Sequence, residues 1–177
     1  MAYPTSRSRP NILITGTPGT GKSTLAGEIA EKGSMMHFDV GKIVEEHQFY
    51  QEYDEQYACH VLDEEKLLDF IEEQLESSSG GNLLDYHGSD FFPERWFDAV
   101  FVLRTDNTVL YDRLHSRNYN EKKLRENIEC EIFGTLLEEA KEAYKEEIVH
   151  ELQNNNTDDM ERNIELICLW INDWKSG

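Results

Sequence analysis

Positive charge is scarce in this sequence: 17 lysines and arginines stand against 36 aspartates and glutamates, a formal net charge of −19. That balance excludes a broad electrostatic attraction to nucleic-acid backbones, so contact with RNA must be local or carried by a partner. An acidic surface does suit a basic protein partner, although a solvated acidic face needs no partner at all. Cysteine is sparse too. Cys59, Cys130 and Cys168 lie far apart with no C-x-x-C spacing, which argues against a zinc site and a disulfide framework. No stretch approaches the roughly 20 apolar residues that span a bilayer, and the first ten residues hold Arg7, Arg9 and Pro10 without an apolar core. A soluble intracellular protein without membrane contact is expected. No linker or repeat divides the 177 residues, a length that suits one domain with a proper core.

What is present is concentrated in Gly16-Thr17-Pro18-Gly19-Thr20-Gly21-Lys22-Ser23-Thr24, a full match to the phosphate-loop pattern G-x-x-x-x-G-K-[ST]. Glycines there allow the backbone to turn its N–H groups around an anion. Lys22 is placed to reach the β- and γ-phosphates of ATP and Ser23 to ligate Mg²⁺, and a helix starting here points its positive end at the phosphates. The setting agrees: residues 11–15 form a short apolar, β-branched run, and Leu25, Ala26, Ile29 and Ala30 follow at helical spacing.

Residues 1–10 lack a periodic apolar pattern and are expected to be a disordered leader, leaving residues 11–177 as the folded domain. Further strands are expected at 35–40, 82–87, 98–103 and 148–152, separated by helices. The polar and aromatic stretch 52–59 reads as a loop. Asp63 suits the N-cap of a helix carrying Leu67, Phe70, Ile71 and Leu75. From Glu121 a long helical stripe runs through Leu124, Ile128, Ile132, Leu136 and Ala140, and Thr157 suits the cap of a last helix. Strands alternating with helices imply an α/β fold, a five-stranded parallel sheet with helices on both faces and ligands at the carboxyl ends of the strands.

A phosphate-loop enzyme needs an acid at the end of another apolar strand to hold Mg²⁺ or its waters, and Asp85 is that acid. His87, two residues on, either orients an attacking water or a second phosphate, or is a loop histidine bonded to backbone. Phosphoryl transfer also calls for cations around the moving group. Arg117 is the leading candidate, with Lys122, Lys123 and Arg125 close behind in sequence. The aromatic run 91–97 serves either core or hinge packing, or ligand stacking.

Together, PNILITGTPGTGKST, DYHGSDFFPERW, FVLRTD and RNYNEKKLRENIECEIF resemble the adenylate kinase isoenzyme 6 family, also described as the coilin-interacting nuclear ATPase family. The resemblance implies a nucleoside monophosphate kinase fold with a monophosphate-binding segment at about residues 39–62 and a short lid at about 116–126. It implies ATP binding by Gly19, Gly21, Lys22, Ser23, Thr24 and Arg117, with Lys22, Asp85, His87 and Arg117 serving catalysis and Ser23 and Asp85 the metal. Adenylate kinase and ATPase activities on ATP, Mg²⁺ and AMP are implied as well. So is a part in maturation of the small ribosomal subunit, in the nucleus and cytoplasm. Given the acidic charge, recruitment to pre-ribosomal particles is expected through a basic small-subunit ribosomal protein of the platform, the RNA contact being indirect. An ATP-driven assembly switch with secondary kinase activity is the alternative, and a small-metabolite kinase a third.

Overall fold

Apolar side chains that point alternately to the two faces of the strands decide how the layers stack. The structure is a computed structural model that describes residues 7–54 and 59–175. β1 (Ile12–Gly16) is followed by the phosphate loop and α1 (Lys22–Gly33), then β2 (Met36–Asp39) and α2 (Val40–His47). A hairpin of β3 (Tyr50–Asp54) and β4 (Cys59–Leu62) leads to α3 (Glu64–Glu76) and β5 (Asn82–Asp85). After β6 (Ala99–Arg104) come α4 (Asn107–Ser116), α5 (Glu121–Phe133) and α6 (Thr135–Ala143), then β7 (Val149–Gln153) and α7 (Thr157–Asp173).

Five of these strands pair in parallel in the order β2-β5-β1-β6-β7. The central strands are buried on both sides, as parallel strands covered by helices must be. Because successive side chains point to opposite faces, Leu13 packs with Val40, Val44, Leu67, Ile71, Leu137 and Ala140 under α2, α3 and α6. Its neighbours Ile12 and Ile14 pack on the other side with Leu25, Ile29, Ile164 and Ile167 of α1 and α7. Phe92, Trp96 and Phe97 are buried in the first of these cores, so that part of the aromatic run is packing. A separate cluster of Leu110, Leu114 and Leu124 joins α4 to α5. Among the described residues no helix is long and apolar enough to cross a membrane.

Several local expectations are corrected. Residues 7–10 are not part of a disordered leader: Arg7 pairs with Asp98 at 3.0 Å, and the Ser8 amide donates to the Ser79 carbonyl at 2.8 Å. Residues 1–6 lie outside the described residues. The stretch 52–59 is not a plain loop, since residues 52–54 and Cys59 belong to β3 and β4, which pair antiparallel, while residues 55–58 lie outside the described residues. The long helix from Glu121 is broken at Gly134, whose φ of 65° ends α5 and starts α6. The final helix is capped by Asn156, which accepts from the Asp159 amide at 2.8 Å, and Thr157 is its first residue.

Candidate active site

Parallel register brings the carboxyl ends of the strands level. Ile14 of β1 stands opposite Asp85 of β5, and Asp85 stands opposite Asp39 of β2. Past Ile14 the chain enters the phosphate loop, so Asp85 faces the loop and the start of α1 across one cleft. Gly19 and Gly21 hold φ of 95° and 98°, a region that residues with a Cβ rarely enter. A Cβ on Gly19 would also lie 2.8 Å from Leu110 Cδ1, so the loop is pressed against α4. No side chain caps the N-terminus of α1, which leaves its first amides to an anion.

The cleft has a volume of about 740 Å³, and its walls include Gly19, Gly21, Lys22, Ser23, Thr24, Asp85, His87 and Arg117. The side chains and glycines assigned to ATP, metal and catalysis from the sequence therefore meet in one place. Lys122, Lys123 and Arg125 do not; they are exposed on α5 and absent from the lining. The lining also includes Val44, Tyr50, Leu62, Tyr86 and Phe91 and the acids Asp39, Glu64 and Asp90.

Lys22 Nζ donates to the carbonyls of Gly16 at 2.7 Å and Thr17 at 3.3 Å. Burial pushes its pKa down to about 8, Asp85 opposes that shift, and the Arg117 guanidinium adds to it. Ser23 Oγ lies 3.5 Å from Asp85 Oδ1, a hydroxyl and a carboxylate turned to the same point. Both are hard oxygen donors of the kind Mg²⁺ takes alongside waters and phosphate oxygens, so the pair fits that ion. Burial, with Lys22 nearby, holds the His87 imidazole below its usual value and hence neutral at pH 7. The His87 carbonyl accepts from Thr15 Oγ1 at 3.0 Å, which fixes the loop after β5 to β1.

Four further residues serve the site without a sequence signal that singles them out. His37 bonds through Nε2 to Asp85 Oδ2. Arg113 donates to the carbonyls of Gly19 at 3.1 Å, Asn154 at 3.2 Å and Asn155 at 3.0 Å. Asn154, buried in the turn after β7, donates to the Thr20 carbonyl at 2.7 Å. Glu131 receives the Thr17 hydroxyl at 2.8 Å. All four show themselves only when distant elements are packed together.

Comparison with known proteins agrees with this geometry. The family model described as "AAA domain" matches residues 12–134, from β1 to the break between α5 and α6. The "Adenylate kinase isoenzyme 6 homolog" of Caenorhabditis elegans is 58% identical over 99% of this chain and 97% of its own length. The chain belongs to the adenylate kinase isoenzyme 6 family. Homologues of adenylate kinase isoenzyme 6 in Drosophila melanogaster, 53% identical over 99% of both chains, and in Saccharomyces cerevisiae, 40% identical over 95% of this chain and 85% of its own length, agree. Two solved shikimate kinases share the fold at low identity. That of Bacteroides thetaiotaomicron has a TM-score of 0.64 at 18% identity over 93% of this chain and 99% of its own. That of Acinetobacter baumannii has 0.63 at 17% over 96% and 97%. This member of the adenylate kinase isoenzyme 6 family therefore has the kinase form of the phosphate-loop fold.

Proposed function

We propose that the protein transfers the γ-phosphoryl group of ATP to AMP, giving two ADP, and to water as a slower ATPase. The observation that carries this reading is the mixed lining of one cleft: cations and phosphate-loop amides together with apolar and aromatic side chains suited to a second base. In the transfer, the bond from the γ-phosphorus to the β–γ bridging oxygen breaks and one to an oxygen of the acceptor forms. Negative charge is spread over the moving group as this happens, and fixed cations nearby lower its energy. Lys22 and Arg117 are the cations that line the cleft. Lys22 leaves the Gly16 and Thr17 carbonyls for the β- and γ-phosphates, an exchange of neutral acceptors for charged ones. Ser23 and Asp85 would hold Mg²⁺, which would supply positive charge to offset that of the phosphates. His87, neutral at pH 7, orients the acceptor or a water. Gly19, Gly21 and Thr24 complete the ATP cradle.

A second reading has its own support. Asp39, Glu64 and Asp90 in the lining of the cleft, with the net charge of −19, suit a basic polypeptide. On that reading ATP turnover releases a basic small-subunit ribosomal protein during maturation of pre-ribosomal particles, in the nucleus and cytoplasm. Measuring ADP from ATP plus AMP beside phosphate from ATP alone separates the two. Production of ADP much faster than phosphate release supports the kinase, and Lys22→Ala should abolish both. Phosphate release that AMP leaves unchanged, with no ADP from AMP, would overturn it.

A further inference from the structure

Glu131 is an acid in the last turn of α5, where the helix's negative end disfavours it, and it is only 4% exposed. A carboxylate persists in such a place only when its oxygens are paired. Here Oε1 accepts from Thr17 Oγ1 at 2.8 Å, while Oε2 accepts from Arg104 Nε at 3.0 Å and from the Thr105 amide at 2.8 Å. Arg104 Nη2 adds a bond to the Glu131 carbonyl at 2.8 Å. The acid thus ties the end of β6 and the phosphate loop to the helix whose first residues fall in the expected lid.

Thr17 is the point where the loop's own bonds converge. Its carbonyl accepts from Thr20 Oγ1 at 2.8 Å, from the Thr20 amide at 3.2 Å and from Lys22 Nζ at 3.3 Å. A loop with three glycines has much backbone freedom to lose on gripping a ligand, and an anchor that orders it beforehand reduces that cost.

We propose that Glu131 is a positioning residue for ATP: through Thr17 it fixes the phosphate loop, and the resting place of Lys22, to the lid-bearing helix. Glu131 touches no substrate itself. The role rests on the nucleotide-kinase reading and adds to it a control of loop geometry from α5.

Thr17→Val removes the hydroxyl, keeps the branched shape and leaves Glu131 with Arg104 and Thr105. Thr17→Ser keeps the hydroxyl. Calorimetric titration with ATP, thermal melting, and kcat and KM for ATP are measured on both. Thr17→Val should bind ATP about tenfold more weakly, with KM rising alike, as loss of a charge-assisted hydrogen bond implies. Thr17→Ser should return to within about twofold of wild type and melt close to it, whereas Thr17→Val, which leaves Oε1 of a buried carboxylate unpaired, should melt lower. Adding Glu131→Gln to Thr17→Val should cost little further affinity, because the two act through one bond. Unaltered ATP binding by Thr17→Val, an equal loss in Thr17→Ser, or full additivity with Glu131→Gln would each overturn the role. Wild-type protein that binds no ATP would instead overturn the kinase reading beneath it.

Discussion

His37, on the edge strand β2, reaches along the sheet to hydrogen-bond Asp85 on β5. Its strand partner is Leu83, two residues before Asp85, so the imidazole leans toward the carboxyl end of the sheet, where the phosphate loop lies. One oxygen of Asp85 is thereby occupied by His37 and the other is turned toward Ser23. The carboxylate is held in one orientation before any cation arrives.

His37→Phe keeps a ring on β2 and removes that bond. Outer partners of metal ligands typically contribute roughly 10-fold to 100-fold in metal affinity, so the Mg²⁺ concentration needed for half-maximal ATP binding should rise within that range. A titration superimposable on wild type would show that Asp85 needs no support from β2.

Arg113→Lys should loosen the phosphate loop. A guanidinium reaches the carbonyls of Gly19, Asn154 and Asn155 together, in a geometry a single ammonium cannot reproduce. Loss of charged hydrogen bonds of this kind costs about 1.5–3 kcal/mol, which denaturant unfolding would detect. Retained stability together with unchanged ATP affinity would limit Arg113 to a surface role.

For Arg117→Ala the expected loss is in rate, on the order of 10³ or less, the lower reach of arginine fingers. The side chain lines the cleft, whereas Lys122, Lys123 and Arg125 do not and are poorly placed to replace it. Steady-state kinetics on the variant gives the answer, and a wild-type rate would remove Arg117 from the site.

His150 should make the fold sensitive to acid. Its ring lies against Phe101 with centroids 5.3 Å apart, and burial lowers its pKa below the ordinary value. The folded state then binds fewer protons than the unfolded chain. The stability this contributes is full above the unfolded pKa of about 6.5 and is lost as pH falls through the lowered folded value. Between about pH 7.5 and pH 5, the melting temperature of His150→Phe should fall less than that of wild type. Parallel curves would show that this imidazole plays no part.

Local chemistry made the phosphate loop legible from residues 16–24 alone. Glycine at a positive φ, an apolar strand before the loop and a helix after it are near-neighbour effects, and β1, α1 and the left-handed Gly19 and Gly21 all follow from them. Apolar runs likewise marked the five parallel strands and set Asp85 at the end of one. Which strands lie side by side was beyond that reach, because strand order depends on crossover paths rather than on any window of sequence. The pairing of His37 with Asp85 therefore required the fold. So did the fate of α5. Strict four-residue spacing pointed to Ile132 as a core position, yet Ile132 is 56% exposed and Glu131 is buried in its vicinity. Periodicity counts apolar side chains and is blind to a carboxylate whose charge is met by Arg104 and by the hydroxyl of Thr17, 114 residues away in the chain. Sequence by itself determined the nucleotide-binding chemistry; tertiary structure alone decided which polar groups surround it, since partners so far apart meet only after the sheet and its helices have packed.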